Sequence, residues 1–158
     1  MTVKPDSVRI ATRADEAALF FSLAFLENDN GLGWTVSPRK VLTHVQRCCR
    51  GQMGLAGVID GPDGIIGSIA IEMLSPWYSE DLLLVTIWQF VRPEYRAKAS
   101  YGADLFAFAE WHRQDMAAKI GQPLVLESEV LSHTRLKAKI RLWGRKARQV
   151  GAIFWFGP

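Results

Sequence analysis

The chain has 158 residues, 49% hydrophobic and 22% charged. That size and balance exclude intrinsic disorder and suit one compact domain spanning residues 1–158, burying about 70% of the surface its unfolded form exposes. A formal net charge of +3 favours anionic ligands such as a nucleotide cofactor and falls short of a nucleic-acid-binding composition. Cys48 and Cys49 are adjacent and so poorly placed to staple distant segments. No charged-then-apolar leader opens the chain, and no apolar run reaches the roughly 18 residues of a membrane helix, so the expected compartment is the cytoplasm, with no membrane partner.

Val8-Arg9-Ile10-Ala11 reads as a short strand, followed by Thr12 and Asp15 in a capping-box spacing that opens an apolar helix from Ala17 to Leu26. Asn28-Asp29-Asn30-Gly31-Leu32-Gly33 breaks it, Ser37-Pro38 starts a second helix with an N-cap and an N1 proline, and Gly51 closes that helix. Leu55–Ile59 and Ile65–Met73 flank Asp60-Gly61-Pro62-Asp63-Gly64 as an antiparallel pair around a turn. Leu82–Val91 is a long apolar strand, expected in the sheet interior with both faces covered. The helix Ser100–Ile120 leaves from its end and stops at Gly121. Leu124–Leu131 alternates, with Val125, Glu127, Glu129 and Leu131 on one face. A last helix, about 134–149, carries the apolar stripe Leu136, Ile140, Trp143, Ala147 and Val150, and Ala152–Phe156 is a final strand.

The stretch Val91-Arg92-Pro93-Glu94-Tyr95-Arg96-Ala97-Lys98-Ala99-Ser100-Tyr101-Gly102-Ala103 takes a strand through a small-residue turn into an amphipathic helix. Free N–H groups and the positive end of the macrodipole make such a junction suitable for a pyrophosphate, and small residues allow close approach. It resembles the acetyl-coenzyme A loop of the GNAT superfamily of N-acetyltransferases, V-x-P-x-[YW]-[RQ]-x-x-G-x-[GA], with Val91, Pro93, Tyr95 and Arg96 on the pattern. Ala97, Ala99 and Tyr101 stand where the family commonly has glycine or another very small residue, and Gly102 is one step late. Lys139-Ile140-Arg141-Leu142-Trp143-Gly144-Arg145 resembles the family's K-x-R-L-Y-x-R segment, and the β-α-α-β-β-β-α-β-α-β order is the GNAT order. The resemblance is to the stand-alone bacterial or phage type.

What the resemblance implies is an α/β (α+β) domain: a mixed, mainly antiparallel sheet of about six to seven strands with about four flanking helices, splayed between strands four and five. It implies an N-acetyltransferase that moves an acetyl group from acetyl-CoA to a primary amine by direct attack on the thioester. Backbone groups of Phe90 and Val91 would pair with the pantetheine amides. The N–H groups of Ala97, Lys98, Ala99, Ser100, Tyr101, Gly102 and Ala103 would cradle the pyrophosphate, with Arg96 and Lys98 adding positive charge. Trp143 would sit beside the thiol end, where the family's Tyr donates a proton that an indole N–H does not.

Attack by an amine needs a proton acceptor and stabilisation of the oxyanion, the latter from backbone N–H groups at a bulge in strand four. Glu127 and Glu72, followed by Glu129, are the candidate bases, although for each one taken singly the solvated strand carboxylate is the leading reading. His133 is the one histidine placed for chemistry, with His44 and His112 at surface or core-edge positions of helices. Cys48 and Cys49 are expected to pack as small hydrophobes, a nucleophilic role beside Arg47 and Arg50 being the lesser reading. No spacing suggests a metal site.

The acceptor is a small-molecule or peptide amine, its pocket built from the first two helices, the Asn28–Ser37 loop and the Ser75–Asp81 connection with Trp77 and Tyr78. A homodimer is left open. Two other readings are also open: a non-catalytic coenzyme A binding or protein-interaction module on the same fold, and a nucleic-acid-associated protein using the basic last helix, which ranks lower because no base-reading pattern accompanies the charge.

Overall fold

The computed structural model describes residues 2–28, 35–96 and 100–128. The expected last helix and final strand lie outside them, as do Ala97, Lys98, Ala99, Glu129, His133 and Trp143. Among the described residues are strands β1 (Arg9–Ile10), β2 (Gly54–Gly61), β3 (Gly64–Leu74), β4 (Leu83–Val91) and β5 (Val125–Ser128), and helices α1 (Glu16–Asn28), α2 (Pro38–Cys49) and α3 (Tyr101–Ile120). They form one mixed sheet in the order β1-β2-β3-β4-β5. The first three pairings are antiparallel and β4 pairs with β5 in parallel. A parallel neighbour requires a crossover, and α3 is that crossover.

Local chemistry sets the element ends. Asp15 accepts the Thr12 N–H at 2.8 Å, closing a 3-10 turn at Arg13–Asp15 that leads into α1. The same carboxylate accepts two bonds from the Arg9 guanidinium, both 2.8 Å, and Arg9 also donates to Asp60 on β2 at 2.9 Å. Arg9 thus ties the start of α1 to the sheet edge. The Arg9 hydrogen bonds, with the Thr12 N–H and the Arg9 charge adding to them against the cost of burial, hold the Asp15 carboxyl at about 2, below the usual carboxylate range. Ser37 and Pro38 open α2 as expected, the β2–β3 turn passes through Pro62 and Asp63, and Gly121 ends α3 in the left-handed region at φ 72°.

The sheet has a core on each face. Leu19 and Leu23 of α1 and Val45, Cys48 and Cys49 of α2 pack with Ala56, Val58, Ala70, Trp88 and Phe90. On the opposite face Leu105, Phe108 and Ala109 of α3 pack with Ile66, Ile69, Ile71 and Leu84. Ser68 is paired inside the core: its Oγ donates to the Gly57 carbonyl at 2.9 Å and accepts the Trp88 indole N–H at 3.1 Å, which lets a tryptophan sit in an interior strand.

Candidate active site

The β3–β4 register runs Met73↔Leu84, Glu72↔Val85 and Ile71↔Thr86, then jumps to Ala70↔Trp88. Ile87 is therefore an extra residue, a β-bulge that twists β4 away from a regular ladder. On its other edge β4 pairs with β5 from Leu83↔Val125 to Thr86↔Ser128. The bulge thus falls immediately after the last of the described β4–β5 pairs, and β4 continues through Ile87–Val91 beyond them.

β4 then enters the junction singled out by its sequence. The Arg92 N–H donates to the Ile66 carbonyl at 2.8 Å, a 3-10 turn spans Pro93–Tyr95, and the exposed Arg96 folds back so that its Nε donates to the Val91 carbonyl at 2.7 Å. At the start of α3 the Ser100 carbonyl accepts the Ala103 and Asp104 N–H groups at 2.7 and 2.9 Å. The Ser100 hydroxyl does not cap the helix; it donates to Asp104 at 3.1 Å, and Ser7 donates to the same carboxylate at 2.8 Å. The N–H groups of Tyr101 and Gly102 precede the helical ladder and point out of the helix end. Gln89 of β4 donates to the Gly102 carbonyl at 3.2 Å, fixing the helix end against the strand. Phe90 is buried in the α1/α2-side core. Val91 and Tyr101 pack against the α3-side core, so Tyr101 contributes its backbone to the junction and its ring to the interior.

A pocket of about 270 Å³ opens at the other end of β4, lined by Ser75, Pro76 and Tyr78 of the β3–β4 connection, Leu83 and Val85 of β4, and Glu127 of β5. Glu127 is exposed, so its carboxylate is available to a ligand in the pocket. Beside it Trp77 is 96% and Tyr78 75% exposed, the two rings meeting edge to face at 5.5 Å.

Glu72 has a different environment from the one expected of a solvated strand carboxylate. It is 2% exposed, its Oε1 accepting the His44 Nδ1–H at 2.8 Å with the Cys48 thiol at 3.7 Å. The space exists because Gly54 lies opposite: a Cβ there would stand 3.0 Å from both Glu72 Cγ and Cys48 Sγ. Gly54, Glu72, Val85 and Glu127 are register partners across four strands, and paired residues share a face. Glu72 and Glu127 therefore lie in one row, two strand spacings or about 10 Å apart, one closed off behind His44 and the other at the pocket.

Burial pushes the Cys48 thiol up, reinforced by Glu72, and raises Cys49 to about 11. Both cysteines are buried, which leaves the small-hydrophobe reading and removes the nucleophilic one. His112 of α3 is buried and its pKa is lowered by desolvation, favouring the neutral ring. Among the described residues no group of three or more His, Cys, Asp or Glu side chains could hold a metal ion, and no helix is long and apolar enough to cross a membrane.

The junction fits the anionic end of a coenzyme through its leading N–H groups and the Arg96 side chain. The Thr86 hydroxyl oxygen is shut off from solvent and has no hydrogen-bond partner among the described residues.

No protein-family model matches the sequence, and a search of curated proteins finds no match either. Solved structures do match in shape. An integron cassette protein, HFX_CASS3, from the mobile metagenome of Cole Harbour Salt Marsh is 16% identical, with a TM-score of 0.65 over 96% of this chain and 89% of that one. A predicted acetyltransferase from Clostridium acetobutylicum, solved with acetyl-CoA, is 12% identical with a TM-score of 0.64 over 96% and 94%. The aminoglycoside 6'-N-acetyltransferase AAC(6')-IG from Acinetobacter haemolyticus is 12% identical with a TM-score of 0.62 over 96% and 97%. The chain therefore shares its fold with solved structures described as acetyltransferases.

Proposed function

We propose that the protein is an acetyl-CoA-dependent N-acetyltransferase whose acceptor is a primary amine on a small molecule or peptide. The observation that carries this reading is the course of β4: a parallel partner in β5 over the described pairs, a bulge at Ile87, a 3-10 turn at Pro93–Tyr95 and then the 20-residue helix that starts at Tyr101. Further support comes from neighbours in shape, one solved with acetyl-CoA and another described as an aminoglycoside 6'-N-acetyltransferase.

When bound, the coenzyme supplies the activated acetyl thioester. The chain's own residues do the rest. The N–H groups leading α3, among them those of Tyr101 and Gly102, with Ala97, Lys98 and Ala99 before them, hold the phosphates, and Arg96 adds charge. Backbone polar groups of Ile87, Phe90 and Val91 orient the arm along β4. Glu127, exposed at the pocket, draws a cationic amine in and takes its proton, directly or through one water. Glu72, enclosed behind His44, has no direct path to an amine and acts at most through the imidazole. Trp143 packs at the thiol end as a wall without an ionisable proton.

Incubating the purified protein with acetyl-CoA and a panel of polyamines, aminoglycosides and lysine peptides, while following free thiol and product mass, tests the reading. Amine-dependent thiol release with a mass gain of one acetyl group supports it. Coenzyme binding without transfer to any amine would favour the non-catalytic module instead.

A further inference from the structure

We propose that the acceptor amine is carried on an apolar body, a single ring or a short hydrocarbon chain, seated on an uncovered strip of sheet beside Glu127; this rests on the acetyltransferase reading above. Leu74 pairs with Leu83, and Leu83 with Val125, so the three form a row across β3, β4 and β5. Alternation puts that row on the same face as Glu72, Val85 and Glu127, the face on which α2 closes over Glu72 with His44 and Cys48. Past Glu72 that cover ends: Leu74 is 40% and Val125 68% exposed. Tyr78 of the β3–β4 connection walls the pocket above Leu74 and Leu83, with the Trp77 ring set edge to face against it. Aliphatic and aromatic side chains gathered in water around one pocket mark a contact surface.

Charge says which occupant. Glu127 is the sole charged side chain among the described residues lining the pocket, and Glu80 and Asp81 of the same connection do not line it. A second copy docked through this patch would bury Glu127 against a like surface that brings no cation to pair with it. A monoamine presents one ammonium to Glu127 and apolar atoms to Leu74, Leu83, Val85 and Tyr78. A polyamine or an aminoglycoside would lay further ammonium or hydroxyl groups on the same aliphatic side chains, which offer them no partner. Size points the same way, because a pocket of about 270 Å³ lies below the roughly 300–1,000 Å³ that encloses drug-sized ligands. It takes one ring with its amine arm and not a multi-ring sugar.

The test measures initial rates of thiol release, with product mass, for 2-phenylethylamine and hexylamine against spermidine, kanamycin and a lysine peptide. Wild type, Tyr78→Ser and Tyr78→Phe are compared. Expected is a kcat/KM for the apolar monoamines about tenfold or more above that for the others. Tyr78→Ser should raise their KM by about tenfold at little cost in kcat, and Tyr78→Phe, which keeps the ring, should restore the wild-type value. Preferred turnover of spermidine, kanamycin or the peptide overturns the proposal and leaves the acetyltransferase reading intact, as does an unchanged KM in Tyr78→Ser. Sedimentation as a dimer that Val125→Asp converts to a monomer would assign the strip to a second copy and overturn it too. No thiol release with any amine would remove the acetyltransferase reading and this acceptor class together.

Discussion

His44 Nδ1 and Glu72 Oε1 are 2.8 Å apart, and this bond joins helix α2 to the middle of the sheet at a carboxylate that is 2% exposed. The imidazole is 38% exposed in its side chain, so it shields the carboxylate on one side and meets solvent on the other. His44→Ala would strand a buried acceptor, with an expected loss of about 1–3 kcal/mol in urea unfolding. His44→Gln, which can still present an N–H, should recover part of it. A His44→Ala midpoint equal to the wild type would show that the pair contributes nothing to the fold.

Arg9 and Asp15 give the fold an acid-sensitive joint. With the Asp15 carboxyl at about 2 in the folded state against roughly 3.9 in an unfolded chain, the folded protein binds its proton less readily. The resulting stabilisation is fully present above pH about 4 and is lost as pH falls towards 2, an effect of at most about 2 kcal/mol because Arg9 is partly solvated. Unfolding curves between pH 5 and 2 should show Asp15→Asn less stable than the wild type at the upper end, with the gap closing at the lower end. A gap independent of pH would mean that the contact is not electrostatic.

Glu127→Gln keeps the size and hydrogen bonding of the side chain and removes its basicity. If Glu127 takes the proton of the acceptor, kcat/KM should fall roughly a hundredfold and the acid limb of its pH profile should lose one ionisation. Glu72→Gln should leave that limb in place, because the buried carboxylate does not face the pocket. Wild-type turnover by Glu127→Gln across the pH range would instead point to an acceptor that enters neutral or loses its proton to water.

Features that depend on a few neighbouring residues were readable from sequence. Thr12 with Asp15, Ser37 with Pro38, the turn through Pro62 and Asp63, and Gly121 all mark element ends within a residue or two, because caps and turns are local chemistry. The β4 bulge was anticipated only through family resemblance: Thr86-Ile87-Trp88 looks like uninterrupted strand, and the extra residue is visible only against the β3 partner. The enclosure of Glu72 was not legible either. It needs Gly54 to leave room from one strand and His44 to approach from a helix 28 positions away, both set by packing. A lone carboxylate inside the apolar run Ile69–Leu74 was the signal available. Glu127 was legible in type and alternation, but its place at a pocket depends on the fold of the Ser75–Asp81 connection.

The most direct test of the proposed coenzyme site is calorimetric titration of coenzyme A into the wild type and into Gly102→Glu, a change at the leading turn of α3 that adds a carboxylate beside the N–H groups proposed to hold the phosphates. The wild type should bind, and the folded variant should bind more than tenfold more weakly, a loss exceeding about 1.4 kcal/mol. Equal affinity in the two proteins, with the variant's fold verified by circular dichroism, would contradict the placement of the pyrophosphate on α3, and no binding by the wild type would contradict the assignment of coenzyme A.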